Sequence, residues 1–299
     1  MLYDTIKIVK YLDKLPVEAL TRVRDTFIWK NCLWKPRFNN FNEVVCYTAD
    51  LKNLKLRLRG DELTITNSLQ KFYMGNNYEP FTYLQAVEAV NTLNTCFGNV
   101  LLNAEVKRLA IGTVIYDVPE NTFQKWQEYK TIQPQFMCNG TKVYGVHFKA
   151  TNYKIKGYDK TYQVKQEARI DITENVIRFE IEANSRFINQ GKDSVGIYKL
   201  SDLTDFSKFQ KLGNQLLSVY GKIKKRKHIA FESLTPEQIK LIATYGNPFW
   251  ANGLKKYHKH THKKERQAYL KLLIKLNHSE NENNIYEKLK TQVNFCLNN

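Results

Sequence analysis

The segment from Asn152 to Lys160 carries four side chains suited to phosphate chemistry. As a strand, it would send Tyr153, Ile155 and Gly157 to one face and Lys154, Lys156, Tyr158 and Lys160 to the other. A phenol among three ammonium groups suits nucleophilic attack on a phosphodiester, because the cations favour phenolate and hold the phosphate close. A tyrosine hydroxyl on the surface of an edge strand would leave the same pattern.

Residues 176–182 read in the same way. Ile177, Phe179 and Ile181 form an apolar face, and Arg178, Glu180 and Glu182 share the polar one. Two carboxylates two residues apart on a strand can reach one Mg²⁺ or Mn²⁺, and an adjacent arginine can hold a phosphate. A solvated sheet face with a cross-strand ion pair is the plainer alternative. The histidines offer no metal pair. His147 stands alone between Val146 and Phe148, and His258, His260 and His262 alternate with Lys259 and Thr261 ahead of Lys263, Lys264 and Arg266. That run reads as a basic helix entrance that touches phosphates.

The elements that must position these groups are short strands and helices through residue 198. Alternation predicts strands at Thr5–Val9, Leu54–Leu58 and Leu63–Thr66, the last two joined across Arg59-Gly60-Asp61. Further strands are expected at Val106–Ile115, Asn152–Lys160 and Asn175–Ala183, with a short helix or hairpin at Thr161–Ile170. Phe81–Phe97 is helical, capped by Thr82 and ended by Gly98. Beyond Leu200 the pattern turns helical, at Thr204–Tyr220, at Pro236–Tyr245 behind the cap Thr235, and from His262 to Leu276. Asn277–Asn284 reads as a polar break before one or two final turns in Ile285–Phe295.

Charge changes at the same place. The chain has 299 residues and a formal net charge of +17. Residues 199–299 hold 19 Lys/Arg against 8 Asp/Glu, and residues 1–198 hold 27 against 21. The expected organisation is therefore an α+β domain over 1–198 and a smaller basic helical region over 199–299. An excess of this size points to a polyanionic partner. The cluster Lys222, Lys224, Lys225, Arg226 and Lys227, joined by Lys255, Lys256, Lys259, Lys263 and Lys264, is the natural phosphate-contacting surface. Phe249, Trp250 and Tyr257 beside it could stack on an unpaired base or pack in a helical core.

Several classes are excluded. No apolar run approaches the ~20 residues of a membrane span, and the first residues lack the apolar region of a signal peptide. Cys32, Cys46, Cys96, Cys138 and Cys296 form no C-x-x-C pair, so a zinc cluster or disulfide framework is not expected and a reducing cytoplasm is.

Five separated pieces carry a family resemblance: Tyr3-Asp4-Thr5-Ile6-Lys7-Ile8; Ser68-Leu69-Gln70-Lys71-Phe72-Tyr73 with Gly75-Asn76-Asn77; Val106–Gly112; Gly157-Tyr158-Asp159-Lys160; and Val176–Glu180. In order and spacing they resemble rolling-circle replication initiators of the filamentous-phage gene II and plasmid Rep_trans type, most of all the DNA replication initiation proteins of Bacteroidetes phages and plasmids. The resemblance implies an antiparallel-sheet nicking domain. It makes Tyr158 the nicking tyrosine and Glu180 a ligand of Mg²⁺ or Mn²⁺, with Glu182 beside it. Ala110 departs from the family, which usually has an acidic residue there; Glu182, Asp117 or Asp159 could substitute, or the site could be weak or inactivated.

The implied reaction is transesterification at the origin in a bacterial cytoplasm. It would leave a 5′-phosphotyrosine and a 3′-OH primer for a host polymerase, with a host helicase as a further partner. Lys160, Lys154 and Lys156 would stabilise the phosphoryl oxygens, and Arg108 and Arg178 would contact the double-stranded origin or its nicked strand. Tyr162 or Tyr153 could supply a second hydroxyl. The alternative is a non-catalytic, sequence-specific DNA-binding protein. Membrane-surface binding is disfavoured, since no strongly amphipathic basic helix is present.

Overall fold

The computed structural model describes residues 3–118, 120–190, 194–225, 234–246, 248–276 and 281–298. The chain divides into a large unit, 1–224 with 285–299, and a small one, 225–284. The large unit is α+β, as expected.

Its strands are β1 (Thr5–Tyr11), β2 (Phe27–Trp29), β3 (Cys32–Phe38), β4 (Val44–Leu51), β5 (Leu54–Arg59), β6 (Glu62–Ser68), β7 (Glu105–Tyr116), β8 (Trp126–Tyr129), β9 (Gln135–Asn139), β10 (Lys142–Lys149), β11 (Tyr153–Asp159), β12 (Val176–Asn184) and β13 (Ile223–Lys225). Eleven of them form one sheet in the order β2-β3-β4-β5-β6-β1-β7-β12-β11-β10-β9, and β13 pairs with β8. Every neighbouring pair of the large sheet is antiparallel. The helices of this unit are α1 (Val17–Leu20), α2 (Leu69–Met74), α3 (Tyr83–Cys96), α4 (Lys160–Ala168), α5 (Ser185–Asn189) and α6 (Phe206–Gly221).

One face of the sheet is the core. Leu54, Leu56 and Leu58 alternate inward along β5, joined by Leu63 and Ile65 of β6 and by Ile177, Phe179 and Ile181 of β12. Against this face α3 presents Ala86, Ala89, Val90 and Leu93, and α6 presents Phe209, Leu212, Leu216 and Tyr220. The Phe209 ring meets Tyr3 edge-on at 5.1 Å, and Tyr220 meets Phe179 at the same distance. Thr82 and Gln85 form the capping box that starts α3, and Gly98 follows it at φ +72°, a conformation that favours glycine.

The expected boundary at residue 198 is corrected. The step in net charge occurs there, but Leu200, Leu203 and the inner face of α6 are buried with the sheet, so the unit continues to Lys224. Apolar burial sets the boundary, and exposed charge is indifferent to it. The small unit contains α7 (Pro236–Tyr245), α8 (Pro248–Tyr257) and α9 (Lys259–Leu276), within which Tyr245 stacks on Tyr269 at 5.4 Å. A last helix, α10 (Asn281–Asn298), is longer than the expected turn or two. From residue 285 it belongs to the large unit, where it buries Leu289, Val293 and Cys296 and Lys288 Nζ donates to the carbonyls of Tyr116 and Asp117. Among the described residues no helix is long and apolar enough to cross a membrane.

Candidate functional site

The second face of the sheet carries the side chains singled out for chemistry. Residues directly opposite in antiparallel strands share a face. Tyr158, Lys156 and Lys154 of β11 oppose Arg178, Glu180 and Glu182 of β12, and these oppose Val114, Gly112 and Ala110 of β7. Tyr158 and Glu180 therefore lie on one face of neighbouring strands, as the alternation predicts.

Arg178 is the hub. Its side chain has no solvent exposure, its Nε lies 2.7 Å from Glu180 Oε2, and its Nη2 lies 2.7 Å from Asp4 Oδ2. Its Nη1 donates to the Asn77 carbonyl at 2.8 Å. Asp4 also accepts from the Ser68 hydroxyl, and Ser68 caps α2. Lys156 Nζ bridges Glu180 Oε1, at 2.9 Å, and Glu182 Oε1. The Tyr158 hydroxyl reaches Glu180 Oε2 at 3.4 Å. Asp4, Ser68, Asn77, Tyr158, Arg178 and Glu180 come from four of the five resembling pieces, and the chain folds them into one buried network.

The electrostatics follow from burial and pairing. Burial alone would raise the Glu180 carboxyl, but Arg178 and Lys156 outweigh it and pull the group down to about 2. Lys156 is held above its ordinary value because its two carboxylates overcome the burial that would lower it. Burial, then the Glu180 charge, pushes the Tyr158 phenol well above the ordinary range. This corrects the expectation that neighbouring cations would favour phenolate. The lysines do not offset that rise: Lys156 is turned to the carboxylates, and Lys160, whose Nζ lies 6.0 Å from the centre of the Tyr158 ring, is not on the strand at all. It is the first residue of α4 and is buried, with Nζ donating to Gln163 Oε1 at 2.9 Å. Burial, then Arg178, lowers the Lys160 ammonium to about 7.

Glu180 and Glu182 do not fit a divalent ion in this arrangement. Both Glu180 oxygens are taken by cations and Glu182 shares one of those cations, so a dication would have to displace Lys156 or Arg178 against their repulsion. Strand β7 adds no carboxylate opposite Arg178, Glu180 or Glu182. Ala110 stands opposite Glu182, and a Cβ on Gly112 would lie 2.6 Å from Glu180 Cβ. Of the substitutes considered, Asp159 is buried as the cap of α4, accepting from Tyr162 N at 2.8 Å, and Asp117 sits in the turn after β7 at φ +54°. Among the described residues no group of three His, Cys, Asp or Glu side chains is arranged to hold a metal.

The residues assigned to nucleic acid divide. Arg178 is corrected, because a guanidinium sealed between two carboxylates has nothing left to offer a phosphate. Lys156 is likewise engaged. Arg108 is exposed and Lys154 half-buried on the polar face. Lys222 and Lys224 are exposed, with Lys224 paired to Glu128 at 2.8 Å, and Lys225 ends β13. Lys263 and Lys264 are exposed on α9, as are Phe249, Trp250 and Tyr257 in the small unit, so these aromatics do not form a helical core. Arg226 and Lys227 lie outside the described residues. Tyr162 is half-buried on α4 and accepts from Asn139 Nδ2 at 2.9 Å, whereas Tyr153 packs on Phe187, 4.2 Å between ring centroids.

No family model and no curated protein matches the chain. Among solved structures, it is similar to a rolling circle replication initiator protein from Geobacillus stearothermophilus, with a TM-score of 0.41 and 12% identity over 77% of this chain and 88% of that one.

Proposed function

We propose that this chain binds DNA and serves in replication initiation, with the polar face of its sheet turned toward the nucleic acid. The observation that supports this most is the sorting of charge on that face. The carboxylates Asp4 and Glu180 are buried and matched by Arg178 and Lys156, whereas Lys7, Arg57 and Arg108 stand exposed. A face sorted this way presents net positive charge outward, which suits a phosphate backbone. Helicase and polymerase partners follow only from the family resemblance.

Strand nicking by Tyr158 is the second reading, favoured by its approach to Glu180 on a common face. It requires two changes from the arrangement described. Tyr158, 5% exposed, must be uncovered, and its proton must find an acceptor while Glu180 stays tied to Arg178 and Lys156. Without both, the phenol stays neutral and out of reach.

Incubation with supercoiled origin plasmid, with and without Mn²⁺, separates the two. DNA binding alone gives a retarded plasmid and no detergent-resistant protein–DNA adduct. Nicking gives an adduct that disappears in Tyr158→Phe. A chain that neither retards nor cuts the plasmid contradicts both.

A further inference from the structure

A shallow groove crosses the polar face of the sheet away from Tyr158, over β3, β4, β5, β6 and β1, with a volume of about 690 Å³. Among the described residues its cations are Lys7, Lys35, Arg37, Lys55 and Arg57, all exposed, and its one acid is Asp50. The strand register sets all of these but Arg37 in two rows running across the strands. One row is Lys35, Thr48, Arg57 and Thr64; the other is Asp50, Lys55, Thr66, Lys7 and Arg108. Rows two residues apart are roughly 7 Å from each other, and strands along a row are about 4.8 Å apart.

We infer that this groove is a docking surface for the phosphate backbone of double-stranded DNA. The inference rests on the DNA-binding reading above and locates it on the sheet, apart from the basic helical region where the sequence had put most of the contacts.

Three features support a backbone ligand. The groove offers charge together with hydroxyls, since Thr48, Thr64 and Thr66 interleave with the cations; this is the usual inventory of phosphate contacts. Arg37 is pre-oriented, its Nε donating to Thr48 Oγ1 at 3.1 Å. The one acid is held in an exposed pair, Asp50–Lys55 at 2.8 Å, and an exposed pair of this kind contributes little and exchanges readily.

Two further features favour duplex over single-stranded DNA. Among the described residues no aromatic side chain lines the groove, which leaves it without the stacking platform by which proteins grip unpaired bases. The sheet also has the right reach. From β3 to β11 there are seven strand-to-strand steps, which at about 4.8 Å each span roughly 34 Å, close to one turn of B-DNA. A duplex laid across the strands would thus run from Lys35 toward the strand that holds Tyr158. These contacts position DNA and do not read its sequence.

The test compares triple variants of the intact chain by fluorescence anisotropy, using a labelled duplex of about three helical turns. Lys7→Gln/Lys35→Gln/Arg57→Gln removes three charges from the groove. Lys14→Gln/Lys130→Gln/Lys211→Gln removes three exposed charges elsewhere, which controls for net charge. The groove variant is expected to bind at least about tenfold more weakly and to lose roughly one unit of salt slope per cation removed, while melting like the parent. The control is expected to stay within about twofold of the parent. If the two variants weaken alike, or the groove variant binds like the parent, the groove is not the docking surface although DNA binding stands. If the groove substitutions weaken single-strand binding as much as duplex binding, the duplex assignment is wrong. If the parent binds no DNA, the functional reading falls and the groove with it.

Discussion

The Tyr158 hydroxyl lies 3.4 Å from Glu180 Oε2, on a sheet face where both side chains are buried. The two groups converge as strand alternation requires, yet they form part of a closed set of charges. Asp4, Glu180 and Glu182 are held by Arg178 and Lys156, and Tyr158 completes the contact from the side. The consequences can be measured one residue at a time.

Arg178 should be the most costly residue of the network to remove. Arg178→Met would leave Asp4 buried without a cation and Glu180 with Lys156 alone, a change that costs about 3–5 kcal/mol. Urea unfolding of the variant should show a loss of that order. A loss below about 1 kcal/mol would mean the network is solvated or loosely held.

Glu180 sets an acid dependence. Its folded value, about 2, lies below the ordinary carboxylate value of 4.5, so its stabilisation is present above 4.5 and is lost as pH falls through about 2. Thermal melts across that window should show the parent losing stability faster than Glu180→Gln. Parallel curves would contradict the buried, ionised carboxylate.

Lys160 has the opposite environment. Its folded value of about 7 lies below the ordinary 10.5, so between these values the unfolded chain binds more protons than the folded one. Its contribution to stability should therefore grow as pH rises from 7 toward 10.5 and be lost as pH falls to 7. Relative to Lys160→Met, the parent should gain stability over this range. A constant difference between the two would show that Lys160 is solvated.

Gly112 supports the site by what it lacks. A Cβ there would lie 2.6 Å from Glu180 Cβ and 2.7 Å from the Phe179 carbonyl, and backbone cannot swing aside as a side chain can. Gly112→Ala should cost about 1–3 kcal/mol by urea unfolding. A neutral effect would mean that β7 and β12 lie further apart than described.

The sequence revealed much of this arrangement, but unevenly. Leu54–Leu58 alternates apolar and cationic, so the direction of Lys55 and Arg57 was readable from period two alone. The shared face of Tyr158 and Glu180 was readable for the same reason. Alternation tells which face a side chain takes and says nothing of what covers it. That is why Arg178 looked available to DNA and proves sealed beneath the Asn77 carbonyl. Lys160 was misplaced because Asp159 caps a helix one residue before the expected strand end. Strands β3 and β4 were missed: Pro36 weakens the pattern of one, and the other mixes Cys46, Tyr47, Thr48 and Ala49 without clean alternation. Lys35 and Arg37 went unnoticed with them.

The central claim is that this chain holds DNA through exposed cations. Equilibrium binding of the intact chain to a duplex, followed as salt is raised, tests it most directly. Contacts to five or more phosphates predict that log K falls with log salt at a slope steeper than about −4. No binding at low salt, or an affinity indifferent to salt, would contradict the account.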